Sequence, residues 1–333
     1  MEHTALQTSK ITQLALTVLE GFRLGRDDAL FLLDADEHQR YELFYWANHI
    51  RIQCLGPEAS LCAIASARTA DCSQDCRFCA QSRHYQTHIE SQIASAEQLI
   101  AAARNAKQQG AHAFGLVASG HRLTDDDLNR YRQVITSIIG DLDVECCASW
   151  GCLTDEQALQ LYEMGVRRYN HNLETSENYF PKVVTTHSYD ERIATVRAAQ
   201  KAGLEVCCGG IIGMGESKQD RVELALKLRE LDVDMVPLNF LHPIAGTPFA
   251  DLPVLDPMEA LQTIAMFRFV LPNKQIKVAG GREKCLRDMQ SWMFFAGASA
   301  TIIGNYLTTT GRAVEDDMQM LTDLGMKWEK KDL

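Results

Sequence analysis

The sequence predicts an α/β protein: a closed (β/α)8 barrel of the TIM type with an N-terminal helical extension. Three observations predict it. Eight short β-type runs alternate with helical stretches over roughly 250 residues, the usual size of such a barrel. Helical periodicity without any strand precedes them. Several of the intervening helices end in glycine just before the next strand, at Gly110, Gly165 and Gly203, as C-terminal caps do.

The extension comes first. "SKITQLALTVLEGF", "GRDDALFLLDA" and "DEHQRYELFYWANHIRIQ" place apolar residues three and four apart behind polar or acidic starts. The expected strands follow in order: "SLCAIASA", "HAFGLVAS", "DVECCASW", "GVRRYNHNL", "LEVCCGGIIG", "DMVPLNFL", "QIKVAG" and "SATIIGNY". Between them lie helices such as "ASAEQLIAAARNAKQQG" and "YDERIATVRAAQKAG", and the stretch "VEDDMQMLTDLGMKW" forms a last helix against the outside of the barrel. The division is then 1–55 for the extension, 56–312 for the barrel and 313–333 for the terminal helix. There is no low-complexity linker and no repeat beyond the βα alternation.

Composition narrows the function. The chain has 333 residues, 46% of them hydrophobic, enough for a large core. Its formal net charge is −11 with lysine and arginine scattered, which gives no basic face for nucleic acid or an anionic membrane. No apolar run approaches the roughly 18 residues of a membrane span, and the N-terminus lacks the basic start and apolar core of a signal peptide. These features read as a cytoplasmic protein acting on small molecules.

Eleven cysteines are many for such a protein, and an odd number argues against a disulfide framework. In "TADCSQDCRFCAQSRHY", Cys72, Cys76 and Cys79 form a CxxxCxxC set in the long connection after the first strand, at the barrel end where chemistry collects. A structural zinc site needs four ligands, and no local fourth exists. Three thiolates can instead hold three irons of a cubane and leave the fourth iron open to a chelating substrate such as S-adenosylmethionine (SAM). The competing class is a non-catalytic iron–sulfur or zinc scaffold. A scaffold has no reason to maintain polar lumen positions that each need a partner.

The triplet, with Phe78 before its third cysteine, resembles the signature of the radical SAM superfamily. The blocks "YNHNLETS", "TTHSYDERIATVRAAQKAGLEVCCGGIIGMGES", "VPLNFL" and "GGRE" are similar to those of biotin synthases, in the same order, from about residue 55 to 325. The resemblance implies a 4Fe-4S cluster on Cys72, Cys76 and Cys79, cleavage of SAM to a 5'-deoxyadenosyl radical, hydrogen abstraction from dethiobiotin, and sulfur supplied by an auxiliary iron–sulfur cluster. It implies Arg192 on the SAM carboxylate, a role suited to a bidentate guanidinium. Asn172 and Glu174 fall on ribose hydroxyls and the ureido ring, and Asn170 and Asn239 complete the substrate contacts. Asn170, Asn172 and Glu174 alternate and so share one side of the fourth strand. "GGIIGMGE" is a poor dinucleotide motif at this place in the fold; with Gly213 it reads as backbone approaching adenine. Flavodoxin or ferredoxin as reductant and a homodimer are implied as well. Radical enzymes of the hydrogenase-maturation or methylornithine-forming type are the rival on the same barrel.

One departure stands out. The family's auxiliary cluster uses three cysteines and an arginine on strands two, three, five and seven. Cys147, Cys207 and Arg282 match three of these, while the strand-two position is Gly115. Strand parity puts Cys147 with Glu145 and Ser149, and Cys207 with Glu205, on the lumen face; Cys146 and Cys208 share the opposite, apolar face. Cys62, in the register of Ser66, is the expected substitute, with Cys54 just upstream as a further one; the cluster is 2Fe-2S or four-iron. Cys152 and Cys285 are left out of the site.

Overall fold

The structure, a computed structural model of the chain, describes residues 8–142 and 144–328. Asp143, which falls in the third expected strand, and the ends of the two terminal segments lie outside the described residues. Helices α1 (Lys10–Leu19), α2 (Arg26–Leu33) and α3 (Arg40–Leu55) come first. The strands are β1 (Ser60–Thr69), β2 (Gln92–Ile93), β3 (Ala113–Ala118), β4 (Glu145–Ser149), β5 (Arg168–Asn170), β6 (Glu205–Cys207), β7 (Gly210–Ile212), β8 (Met235–Phe240), β9 (Gln275–Val278) and β10 (Ala300–Ile302). Between and after them run α4 (Ala96–Gln108), α5 (Asp125–Leu142), α6 (Asp155–Glu163), α7 (Tyr189–Lys201), α8 (Lys218–Glu230), α9 (Pro257–Val270), the short α10 (Arg282–Leu286) and α11 (Trp292–Phe295), and α12 (Val314–Asp323).

Pairing is parallel around a closed ring, β1, β3, β4, β5, β6, β8, β9, β10 and back to β1, with β7 beside β8. The barrel is therefore the one the alternation predicts. Local chemistry starts its helices: Ser95, Thr154, Ser188 and Ser217 each form a reciprocal capping box with the residue three positions on. At the other ends, Gly110, Gly165 and Gly203 have φ of 89°, 90° and 87°, the left-handed conformation of a helix stop.

Two details differ from expectation. The fifth run is broken into β6 and β7, because the chain squeezes between its neighbours there: a Cβ on Gly209 would lie 2.0 Å from the carbonyl oxygen of Pro237. The fourth strand is shorter than its pattern, yet it continues as paired backbone, with His171 N–H donating to Cys207 C=O and Leu173 N–H to Gly209 C=O. The two-residue β2, antiparallel to the end of β1, carries too short a pattern to be read from sequence.

Helices α2 and α3 pack on α9. This explains why α9 is buried from Ala260 to Val270, on every face, instead of along one stripe. Core parity sorts the cysteines. Cys146 and Cys208 pack with the apolar layer under the helices, while Cys62 and Cys147 belong to a separate lumen cluster with Ala113, Ala279 and Ile302.

Candidate active site

At the end of β1, Ala70 and Asp71 both take left-handed φ (61° and 49°) and turn the chain over the barrel mouth. The loop that follows is tightly bonded. Cys72 N–H donates to Gln81 C=O at 3.0 Å, Arg83 N–H to Cys72 C=O at 2.9 Å, and Cys79 N–H to Cys76 C=O at 2.9 Å. The Asp75 carboxylate accepts from the N–H groups of Thr185 (2.9 Å) and Thr186 (3.2 Å) and from both hydroxyls, and Arg77 N–H reaches Val183 C=O at 3.0 Å. Burial disfavours the Asp75 charge, but the hydrogen bonds from Thr185 and Thr186 outweigh it and hold the carboxyl at about 2. Cys72, Cys76 and Cys79 are thus pinned around one side of a cavity of about 300 Å³.

The opposite wall comes from β5 onward and from α7. Asn170, His171, Asn172, Glu174, His187 and Arg192 all line it, and Asn239, Lys277, His121 and Cys152 line it too. Arg192 donates to Asn172 C=O at 2.7 Å and to His187 Nε2 at 3.0 Å, and lies 3.4 Å from the Glu174 carboxylate. His187 Nδ1 bonds Gln74 Oε1 at 2.7 Å, so Nδ1 carries the proton and Nε2 accepts from Arg192. Burial, with Arg192 next in weight, pushes His187 down to about 4 and fixes it neutral. Burial likewise raises Glu174, against the pull of Arg192 and Asn172, and lowers His171.

The asparagines divide in two. Asn172 Oδ1 accepts from Gly209 N–H (3.2 Å), and Asn239 binds Gly210 C=O (3.2 Å) and Gly280 N–H (2.9 Å), so these amides also brace neighbouring backbone. Asn170 Oδ1 and His171 Nε2, in contrast, are buried with no hydrogen-bond partner among the described residues. An unpaired buried acceptor such as Asn170 Oδ1 is costly, and a cavity lined by it is shaped for a ligand with a donor. Gly213 is not part of this wall. Its N–H goes to Glu216 at 2.9 Å in a local turn, and it lines no part of the cavity.

A second cysteine trio sits deeper. Cys62, Cys147 and Cys207 are each the third residue of their strand or strand segment in β1, β4 and β6, at 5%, 5% and 0% exposure. Each acts electrostatically on the others' surroundings. Burial pushes the Cys147 thiol up to about 12 despite Arg168, and raises Cys207 despite Lys277 and Arg168. Burial similarly pushes Cys79 of the upper trio up to about 11. Metal binding at either trio must therefore displace protons. Among the described residues no three His, Cys, Asp or Glu side chains close tightly around one ion.

The other expected auxiliary ligands lie elsewhere. The Arg282 guanidinium is fully buried and spent on Asp317 (2.5 Å), Gln290 (2.7 Å) and Tyr306 (3.2 Å), tying α10 to α12. Arg282 follows β9 by four residues and so has left the lumen. Cys54, at the end of α3, sits beside Arg268 outside the barrel, apart from the trio. Gly115 does occupy the lumen position in register with Cys147, but Ile64 fills the space before it: a Cβ there would meet Ile64 Cγ2 at 3.1 Å.

Two residues beside the trio were not singled out from sequence, Lys277 and Arg168. Signals existed for both. Lys277 interrupts the apolar run of β9 in the parity opposite Ile276 and Val278, and Arg168 shares the parity of Asn170. Cys152 lines the upper cavity, against its exclusion above.

The chain matches the model of the radical SAM superfamily over residues 67–228 and that of the biotin and thiamin synthesis associated domain over 237–327. Among solved structures, methylornithine synthase superposes with a TM-score of 0.85 at 21% identity, covering 95% of this chain and 97% of that one. The FeFe-hydrogenase maturase of Carboxydothermus hydrogenoformans superposes with a TM-score of 0.81 at 18% identity, covering 95% and 78%. At these identities the likeness is one of fold. The biotin synthase of Geobacter sulfurreducens is 48% identical over 94% of this chain and 96% of its own length, and that of Carboxydothermus hydrogenoformans 46% identical over 96% and 99%. With relatives this similar over nearly its whole length and both domain models in place, the chain belongs to the biotin synthase family.

Proposed function

We infer that this chain converts dethiobiotin to biotin by radical SAM sulfur insertion. The observation that carries the reading is two cysteine trios facing one barrel lumen, one at the mouth and one deeper, with a cavity above the deeper trio lined by Asn170, Asn172, Glu174 and Arg192. Cys72, Cys76 and Cys79 hold a 4Fe-4S cluster, which when bound supplies the electron that breaks SAM. Cys62, Cys147 and Cys207 hold the auxiliary cluster, 2Fe-2S or four-iron, from which sulfur is taken. Both sites fit, because each gathers three free cysteines facing the lumen: Cys62, Cys147 and Cys207 buried below, and buried Cys76 with half-buried Cys72 and Cys79 at the mouth.

The chain's own residues receive the organic substrates. Arg192, oriented by His187 and Asn172 C=O, presents its Nη2 donor to the SAM carboxylate. Asn172 and Glu174 bind the ribose hydroxyls. Asn170 Oδ1 accepts a ureido N–H of dethiobiotin, and Asn239 steadies the same ring from β8. Burial keeps His171 and His187 neutral, so neither adds a cation beside Arg192 that would compete for the SAM carboxylate. Replacing Arg192 by Met should raise the SAM dissociation constant about 10- to 100-fold, the equivalent of the ~1.5–3 kcal/mol carried by a charged hydrogen bond. Anaerobic equilibrium dialysis of the reconstituted protein measures it, and unchanged affinity would remove Arg192 from this role.

On the same reading the electron comes from a donor of the flavodoxin or ferredoxin class, and the chain works as a homodimer. The deciding experiment is anaerobic turnover with dethiobiotin, SAM and a reductant, read by mass spectrometry. Biotin together with 5'-deoxyadenosine is the expected result. Ample 5'-deoxyadenosine without biotin would move the chain to the chemistry of its hydrogenase-maturation or methylornithine-forming structural neighbours.

A further inference from the structure

Lys277 is the least expected group in the lumen. It stands on β9, paired with Pro237 of β8 and Ala300 of β10, and is only 3% exposed. Its Nζ donates to Cys62 Sγ at 3.9 Å, and its charge favours the thiolate of Cys207 against the effect of burial. It lines the floor of the same cavity whose mouth carries the upper trio. The other buried cation here, Arg168, is differently placed: its guanidinium binds Glu205 at 2.6 Å and lies 3.4 Å from Glu145, while its approach to Cys147 Sγ is 4.0 Å. Two carboxylates therefore offset part of the charge of Arg168, Glu205 being shared with Arg167.

Three thiolates outweigh the positive charge of an iron–sulfur core, so the closed lumen would carry a net negative charge where water cannot screen it, and an uncompensated buried charge is unfavourable even after relaxation. Arg168 and Lys277 both face the sulfurs, but Arg168 shares its charge with two carboxylates, whereas Lys277 makes no ion pair with a carboxylate among the described residues. We propose that Lys277 is the counter-charge of the Cys62–Cys147–Cys207 site, donating hydrogen bonds to its sulfurs and setting the charge and reduction potential of the cluster held there. This rests on the reading of that trio as the auxiliary site. A lysine suits the task better than an arginine would in this space, because a compact ammonium with three donors can turn toward more than one sulfur without the flat guanidinium's fixed geometry. Lys277 acts as a positioning residue, through the sulfurs.

The test uses full-length protein with Cys72, Cys76 and Cys79 replaced by Ala, reconstituted anaerobically with iron and sulfide so that only the lower site can hold a cluster. Iron per chain and the midpoint potential by dye-mediated titration are compared for Lys277, Lys277→Met, Lys277→Gln and Lys277→Arg. Removing the positive charge disfavours adding an electron. Met and Gln should therefore lower the reduced-to-oxidised ratio at a fixed poise at least about tenfold, equivalent to about 59 mV for a one-electron couple, with Arg close to the parent. Iron lost from Met and Gln but kept by Arg would equally support the proposal, the cation then being needed for assembly. Unchanged potentials in Met and Gln would overturn it. So would loss of iron in Arg as well as Met, since a requirement that charge cannot satisfy is not a counter-charge. If the parent triple variant itself binds no iron, the assignment of the auxiliary site fails, and the proposal with it.

Discussion

Cys62→Ala protein is expected to cleave SAM at close to the parent rate and to form no biotin. Cys62 shares its lumen cluster with Cys147, while Leu61 and Ala63 on either side of it pack in the layer under the helices. It is the one thiol of β1 in position to replace the ligand missing at Gly115, where Ile64 occupies the volume a side chain would need. Iron analysis should show the upper cluster retained and the auxiliary iron lost. Biotin formation should fall by more than the roughly 10- to 100-fold that changes outside a ligand shell cost, since a ligand itself is removed. Cys54→Ala is the control, because Cys54 lies outside the barrel beside Arg268, and should keep both clusters and activity. Full auxiliary iron in Cys62→Ala would defeat the ligand assignment.

Replacing any one of Cys72, Cys76 and Cys79 by Ala should have the opposite signature: no 5'-deoxyadenosine, no biotin, and auxiliary iron still bound at the lower trio. The loop is pinned by the Asp75 bonds to Thr185 and Thr186 as well as by its own backbone, so these variants should fold and differ in iron content, read by absorbance and metal analysis. Cys146→Ala and Cys208→Ala, whose side chains pack in the helix-side core, should lose some stability while keeping both SAM cleavage and iron. Because burial holds Cys79 at about 11 and Cys147 at about 12, each ligand gives up a proton on binding, and cluster loading should weaken as the reconstitution pH is lowered. Retained SAM cleavage in Cys76→Ala would remove the premise that this trio holds the cleaving cluster.

Much of this molecule could be read in one dimension. The CxxxCxxC spacing places three thiols within eight residues, where no long-range packing is needed to bring them together. The strand period of two assigned Cys146 and Cys208 to the packing face and Cys62, Cys147 and Cys207 to the lumen, because alternation along a strand is set by local backbone geometry. Capping residues such as Ser188 with Glu191 and stops such as Gly203 delimited helices for the same local reason.

What tertiary structure alone decided is which lumen positions lie at the same depth. Arg282 follows β9 and matched a family motif, but the chain has turned outward by then and the guanidinium pairs with Asp317 on α12, a contact 35 residues away in sequence. Lys277, five residues earlier, looks like an anomaly in an apolar strand until barrel closure brings β9 round to β1 through β10 and sets its amine beside Cys62, 215 residues away. Cys54 is only eight residues from Cys62, yet the end of α3 and the turn after it put the two on different sides of the barrel wall. Side-chain period belongs to each strand by itself, and so the sequence carries it; the stagger between strands and the contacts made by closure exist only once eight of them meet.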